Sequence, residues 1–206
     1  MTEKTTLNID NFQWLKRGFD IIFSLCALLT VFPLSYVIFG LLIKSSSAGP
    51  IFFVQKRTGL NGKDFNCYKF RSMRLNNEAH EVQASLNDPR ITPFGRFLRR
   101  SNLDEFAQFW NVLKGDMSVV GPRPHMLRHT EYYSKIIDNY MDRHCVRPGL
   151  TGWAQAQGFN GSTQTLEQMA DRVRLDLWYV QNWSFGLDLK IVGMTIANMF
   201  KILNKV

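Results

Sequence analysis

Residues 21–43 form the one long apolar run of this chain, and it limits the fold more than any other feature. About 20 such residues suffice to cross a bilayer. The run is too long for a cleaved leader, and no A-x-A site follows it. Pro33 sits near its middle. A proline there removes the hydrogen bond to the Leu29 carbonyl and predicts a kink. Thr30 and Ser35 flank it, with hydroxyls able to satisfy freed backbone groups. Lys16 and Arg17 precede the run and Lys44 follows it. Positive charge at both ends gives no orientation for a span and suits a segment whose two ends stay on one side. A spanning helix with a tolerated proline and a kinked re-entrant helix both remain open on these grounds. Asp20 opens the run three residues after Arg17. The pair is expected to meet on one helix face and set the depth of the segment, because an unpaired acid there is costly.

Residues 96–124 carry the strongest chemical signal. Adjacent acids Asp104 and Glu105 fall where a helix is expected to begin. Leu103, Phe106, Phe109, Trp110 and Leu113 follow at helical spacing. Ser101 and Asn102 are favourable N-caps, Asn102 and Glu105 have capping-box spacing, and acids suit a first turn. Capping alone would explain the acids. Arginines just before them and the Gly121-Pro122-Arg123-Pro124 turn just after make a second role available. Acids and guanidinium groups together can hold a metal and a phosphate. Prolines on both sides of Arg123 fix its backbone, and Pro124 is expected to open the next helix.

Formal net charge is +8, which suits nucleic acid, an anionic membrane surface or a phosphorylated substrate. Apolar residues make up 45% and charged residues 20%, excluding both a disordered chain and a polytopic transporter. Cys26, Cys67 and Cys145 show no metal-binding spacing, and their odd count fits a reducing compartment. His125 and His129 are four apart without an H-E-x-x-H motif, so a packing role is expected.

Two short strands, residues 51–55 and 64–70, flank a Gly/Asn turn and predict a hairpin. It runs into Tyr68-Lys69-Phe70-Arg71-Ser72-Met73, a phosphate-binding edge or a solvated strand. A wider aromatic platform for nucleic acid is lacking. A polar loop or helix is expected over residues 76–88. Trp153, Gln155 and Gln157 lie in a glycine-rich irregular segment and either recognise a base or sugar or pack a loop. Thr165 and Gln168 predict a capped helix to about residue 180. A last helix over residues 189–203 carries an apolar face that suits either the membrane interface or the core.

Set in order, these segments resemble the bacterial sugar transferases, the small monotopic phosphoglycosyl transferases, over residues 16–201. The resemblance rests on Lys16-Arg17-Gly18-Phe19-Asp20 with Pro33, Gly49-Pro50-Ile51-Phe52-Phe53-Val54-Gln55, Tyr68-Lys69-Phe70-Arg71-Ser72-Met73 and Leu103-Asp104-Glu105. It continues through Asn111-Val112-Leu113-Lys114-Gly115-Asp116-Met117-Ser118, Val120-Gly121-Pro122-Arg123-Pro124, Arg143-His144, Arg147-Pro148-Gly149 and Thr151-Gly152-Trp153-Ala154-Gln155.

The resemblance implies an α+β, mainly α fold. A proline-broken re-entrant membrane helix (residues 1–45) would precede a catalytic domain (46–206) with a small β-hairpin and interfacial amphipathic helices. That domain would lie at the cytoplasmic face of a bacterial inner membrane. The implied reaction moves a sugar-1-phosphate from a UDP-sugar to undecaprenyl phosphate, the first membrane step of exopolysaccharide, capsule or O-antigen assembly. Asp104 would be the nucleophile and Glu105 the Mg²⁺ ligand. Arg99, Arg123, Arg147, Lys69 and Arg71 would lie near phosphates. Glucose or galactose is the expected sugar, with a diacetamido or N-acetyl sugar as the alternative. Nucleic acid is not an expected partner. A homodimer and the glycosyltransferases acting next are the protein partners such a unit would have. A non-catalytic membrane scaffold is the rival from another class.

Two departures stand out. Phe32 precedes Pro33 where several relatives carry serine, and Phe106-Ala107-Gln108-Phe109 replaces the usual Leu-Pro-Gln-Leu. The larger N-terminal regions of longer relatives have no counterpart here, so a minimal catalytic unit is expected.

Overall fold

The computed structural model describes residues 3–76, 84–85, 88–161, 163 and 165–203. Most of the polar stretch expected over residues 76–88 lies outside these.

The apolar run belongs to one long helix, α1 (Glu3–Ser46), that carries Pro33 without interruption. At 1.5 Å per residue its 44 residues extend about 66 Å if straight. Pro33 therefore does not end the helix. Neither flanking hydroxyl reaches the Leu29 carbonyl: Thr30 donates to Cys26 O at 2.6 Å and Ser35 to Phe32 O at 2.9 Å. Each satisfies the turn preceding its own residue, the local geometry open to a helical Ser or Thr.

The two flanks of α1 dock on the same domain. At the first, Asp20 accepts from Ser118 Oγ at 2.9 Å and Val119 N at 2.8 Å. Arg17 donates to Val112 O at 2.6 Å and Leu113 O at 2.7 Å. The expected Arg17–Asp20 pair thus gives way to two tertiary contacts. The carbonyls at the end of a short helix lack intrahelical donors and attract a cation. Lys16 completes this flank, meeting buried Asp188 at 2.6 Å and Val120 O at 2.9 Å. At the second flank, Phe32, Phe39 and Ile43 pack with Phe52, Phe70, Phe94 and Leu98. Between the flanks Ile22, Leu25, Leu29, Leu34, Val37 and Leu41 remain exposed, an apolar face of the kind that meets lipid. This is the one described helix long and apolar enough to cross a membrane.

The hairpin forms as the sequence predicts. Strand β1 (Phe52–Thr58) pairs antiparallel with β2 (Asp64–Phe70), Phe52 opposite Phe70. Helix α2 (Pro93–Arg100) starts at Thr92, whose Oγ1 accepts from Gly95 N at 2.9 Å. Gly95 is required there: a Cβ would stand 1.9 Å from Ser72 O. Leu103–Ala107 is a 3-10 turn, and the α-helix expected from about residue 103 begins later, as α3 (Gln108–Lys114). Asn102 is left-handed, with φ 56°, and its side chain makes no cap bond. Asn tolerates this conformation better than most residues. Ser101 bonds backwards, to Phe97 O and Leu98 O at the end of α2.

Strand β3 (Ser118–Val120) pairs parallel with β4 (Gly149–Thr151). A Cβ on Gly149 would fall 2.1 Å from Gly121 N, so only glycine lets the two backbones meet. Helix α4 is Leu127–Tyr133, with Met126 at its N-cap position, so Pro124 lies in the extended approach and does not open the helix. Helices α5 (Trp153–Ala156), α6 (Leu166–Gln181) and α7 (Phe185–Leu203) close the domain. Thr165 caps α6 as expected, accepting from Gln168 N at 3.2 Å. Helix α7 spends one face on the core through Asp188, Ile191 and Thr195, leaving Leu189 and Ile196 outward. Of the two placements the sequence left open, packing on β3 and β4 accounts for this part of the apolar face.

Candidate active site

Asp104 and Glu105 sit on the 3-10 turn between α2 and α3, at the floor of a cavity of about 1240 Å³. Helix α3 is bolted to β2 by buried Asn111, which accepts from Tyr68 N at 3.0 Å and donates to Asn66 O at 2.6 Å. The acids are thereby held beside the next strand residue, Lys69. Its Nζ lies 2.6 Å from Glu105 Oε1. Arg123 reaches Glu105 with both terminal nitrogens, at 2.7 Å to Oε1 and 3.2 Å to Oε2.

The surroundings move the two carboxyl groups in opposite directions. Burial tends to raise the Glu105 carboxyl, but Arg123 and then Lys69 outweigh it, and Glu105 stays ionised far below the usual range. Asp104 is 7% exposed. Burial pushes it from 3.8 up to about 6; Glu105 pushes the same way, and Lys69, Arg99 and Arg123 oppose it. Arg123 is raised by Glu105. Paired carboxylates whose surroundings drive them apart mark a functional site more often than a structural one.

Arg123 is supported from behind. Arg143 Nη2 donates to Arg123 O at 2.6 Å and meets Asp176 at 2.6 Å, both side chains almost fully buried. Arg57 Nη1 donates to Pro124 O at 3.0 Å. The same Arg143 stands 2.7 Å from Nδ1 of His125, whose ring also lies 2.6 Å from the Tyr140 hydroxyl. Burial, then Arg143, holds this histidine well below its ordinary pKa and hence neutral.

Of the residues singled out in the sequence, Asp104, Glu105, Lys69, Arg99, Arg123 and Arg71 line the cavity. Arg99 lies against Ser72 Oγ at 3.4 Å. Arg71 reaches the wall but donates to Ala48 O and Ser47 O. Its guanidinium closes the exit of α1. Arg147 is not brought to the cavity: its Nε donates to Gly115 O at 2.9 Å. Trp153 stacks on Trp178 at 5.0 Å, and Gln155 donates to Leu150 O at 3.1 Å, so both pack a loop outside the cavity. Pro33, Arg17 and Asp20 belong to α1 and its anchorage.

Sequence reasoning missed Arg57, Arg74, Arg96, Arg100 and Arg172 as lining residues. For two of them a signal existed. Arg96, Arg99 and Arg100 stand at i, i+3 and i+4 and share one face of α2. Nine cations line the cavity against two carboxylates, an excess that suits a polyanion.

Mg²⁺ is commonly held by one or two carboxylates together with substrate phosphates. Asp104 and Glu105 supply such a set. Both Glu105 oxygens already face cations, Oε1 two of them and Oε2 the Arg123 guanidinium at 3.2 Å, so a metal would share Glu105 with them and draw on the Asp104 oxygens. A closed cage is not formed: among the described residues no group of three or more His, Cys, Asp or Glu comes together.

A carboxylate pair in a cationic cavity, on a scaffold carrying an exposed apolar helix, suits an anionic ligand handled beside an apolar surface. The chain belongs to the bacterial sugar transferase family, whose sequence pattern it matches over residues 11–202. It is 49% identical over 187 residues to the UDP-glucose:undecaprenyl-phosphate glucose-1-phosphate transferase of Escherichia coli K12, covering 90% of this chain and 40% of that protein. A Caulobacter vibrioides protein of the same name is 45% identical over 89% of this chain and 69% of its own length. The exopolysaccharide production protein PSS of Rhizobium leguminosarum bv. phaseoli is 45% identical over 89% and 94%. Against the Escherichia coli relative the chain thus spans well under half the length.

Proposed function

We propose that the protein transfers glucose-1-phosphate from UDP-glucose to undecaprenyl phosphate at the membrane surface and releases UMP. The supporting observation is the buried, cation-ringed Asp104 beside a Glu105 held in its ionised form by Arg123 and Lys69.

Ionised Asp104 attacks the sugar-bearing phosphorus of the donor. A bond forms from its Oδ to that phosphorus, the bond to the bridging oxygen breaks, and UMP leaves with the electron pair. An oxygen of undecaprenyl phosphate then attacks the same phosphorus and expels Asp104, giving the lipid-linked diphosphate sugar and a regenerated carboxylate. Arg99, Arg123 and Lys69 are placed to stabilise charge spread over the transferring phosphoryl oxygens. Glu105 orients Lys69 and Arg123. Mg²⁺, when bound, neutralises the donor diphosphate.

Both flanks of α1 are fastened to one domain, which supports a membrane segment that enters and leaves by the same leaflet. With the active site on that side, the cytoplasmic face of the bacterial inner membrane is the location proposed. Glucose is favoured over galactose and N-acetyl sugars by the names of the relatives.

The test is UMP release by detergent-solubilised protein with undecaprenyl phosphate, Mg²⁺ and a panel of UDP-sugars, beside Asp104→Asn. Release with UDP-glucose, lost in the variant, and a protein mass increased by one hexose phosphate when acceptor is withheld are expected. Release that survives Asp104→Asn would overturn the covalent route.

A further inference from the structure

A second, smaller hollow of about 360 Å³ opens between α1, the hairpin and α3. Its walls are Leu28, Phe32 and Tyr36 from α1, Phe52 and Tyr68 from the hairpin, and Trp110 from α3. Unlike the main cavity, it has no charged side chain on its walls. Its size lies at the low end for ligand sites, roughly 300–1,000 Å³.

Two observations indicate its occupant. First, the hollow and the cationic cavity share three walls, Tyr36, Phe52 and Tyr68. A single ligand lying across these rings would have an anionic end among the arginines and an apolar end in the hollow. Second, the floor of the hollow is Ala107, three residues after Asp104 on the same 3-10 turn. The apolar end would therefore be held within one turn of the carboxylate. Neither the uridine nor the sugar of the donor has an apolar end. Trp110 is 51% exposed and Leu29, one residue beyond Leu28, is 75% exposed, so the hollow lies at the edge of the lipid-facing surface of α1.

We propose that this hollow is the acceptor-tail slot: it takes the first isoprene units of the lipid phosphate and delivers its phosphate to Asp104. The slot rests on the function proposed above and extends it to residues outside the charged site. Small Ala107 leaves the slot open.

The experiment measures steady-state KM for undecaprenyl phosphate and for UDP-glucose in the unmodified protein, Trp110→Ala and Trp110→Phe, with vesicle binding alongside. Trp110→Ala should raise acceptor KM about tenfold while donor KM moves less than about twofold; one decade corresponds to about 1.4 kcal/mol. Trp110→Phe should recover most of the loss. A second variant, Ala107→Leu, fills the slot instead of opening it and should raise acceptor KM as well. Unchanged acceptor KM in both Trp110→Ala and Ala107→Leu overturns the slot but leaves the reaction standing. So does an equal rise in both KM values. A loss of vesicle binding that accounts for the change makes Trp110 a plain lipid contact and also overturns it. An unmodified protein that turns over no donor refutes the proposed function, and the slot falls with it.

Discussion

The carboxyl of Asp104 should cost the protein stability whenever it is ionised, and removing its charge should make the fold stronger while abolishing chemistry. Its pKa stands at about 6 against an ordinary 3.8. Between those values the folded state binds a proton that the unfolded chain has released, so stability falls as pH rises through that window. The difference of about two units amounts to about 3 kcal/mol at 1.36 kcal/mol per unit. Asp104→Asn keeps the shape and removes the ionisation. Urea unfolding in mild detergent, followed by the fluorescence of Trp110, Trp153, Trp178 and Trp183, gives the comparison. The variant should match the unmodified protein near about pH 4 and exceed it by about 2 to 3 kcal/mol above about pH 7. A gap that does not widen with pH, or a variant weaker at neutral pH, would show that Asp104 is not held against its own ionisation.

The same group sets the acid limb of activity: kcat/KM for UDP-glucose should fall about tenfold per pH unit below about pH 6, where the nucleophile is protonated. A limb that persists unchanged when Asp104 is replaced by another competent nucleophile would assign it elsewhere. Arg143→Met should destabilise by about 3 to 5 kcal/mol, because it strands buried Asp176, and it should also raise KM for the donor by loosening Arg123. A variant as stable as the parent by the same urea assay refutes this. Chelation of divalent cations should stop UMP release, and added Mg²⁺ should restore it; release that continues under chelation would remove the metal from the scheme. With Cys26 replaced by serine, cysteines introduced as Trp14→Cys and Ala48→Cys should react with a membrane-impermeant thiol reagent from the same side of sealed vesicles. Labelling from opposite sides refutes the re-entrant arrangement.

What the sequence disclosed follows the range of the forces involved. The apolar run, the β1–β2 hairpin and the Thr165 cap of α6 depend on neighbours a few positions away, and periodicity or turn chemistry exposes them. The acid pair was conspicuous for the same reason, lying between Arg99 and Arg123 in one short stretch. Its backbone was not: helical spacing over Leu103, Phe106 and Phe109 cannot separate a 3-10 turn from an α-helix, and left-handed Asn102 shifts the true helix to Gln108. The partners of Arg17 and Asp20 were invisible because they lie about a hundred residues away, on α3 and β3. The spacing supports a local Arg17–Asp20 pair, yet Leu113 O and Val119 N lie within reach and bind the two side chains instead. Arg71 shows the same competition. In sequence it stood among cations suited to a phosphate, but two carbonyls at the end of α1 needed a donor, and a guanidinium with five hydrogens satisfies both. Arg123 escaped that fate because Arg143 and Arg57 already serve the carbonyls of its loop. Its own guanidinium is left to Glu105 and to the cavity. Cations thus reach the cavity in two ways: Arg57, Arg71 and Arg172 line it while donating to backbone carbonyls, whereas Arg123, whose loop carbonyls are already served, gives its guanidinium to Glu105.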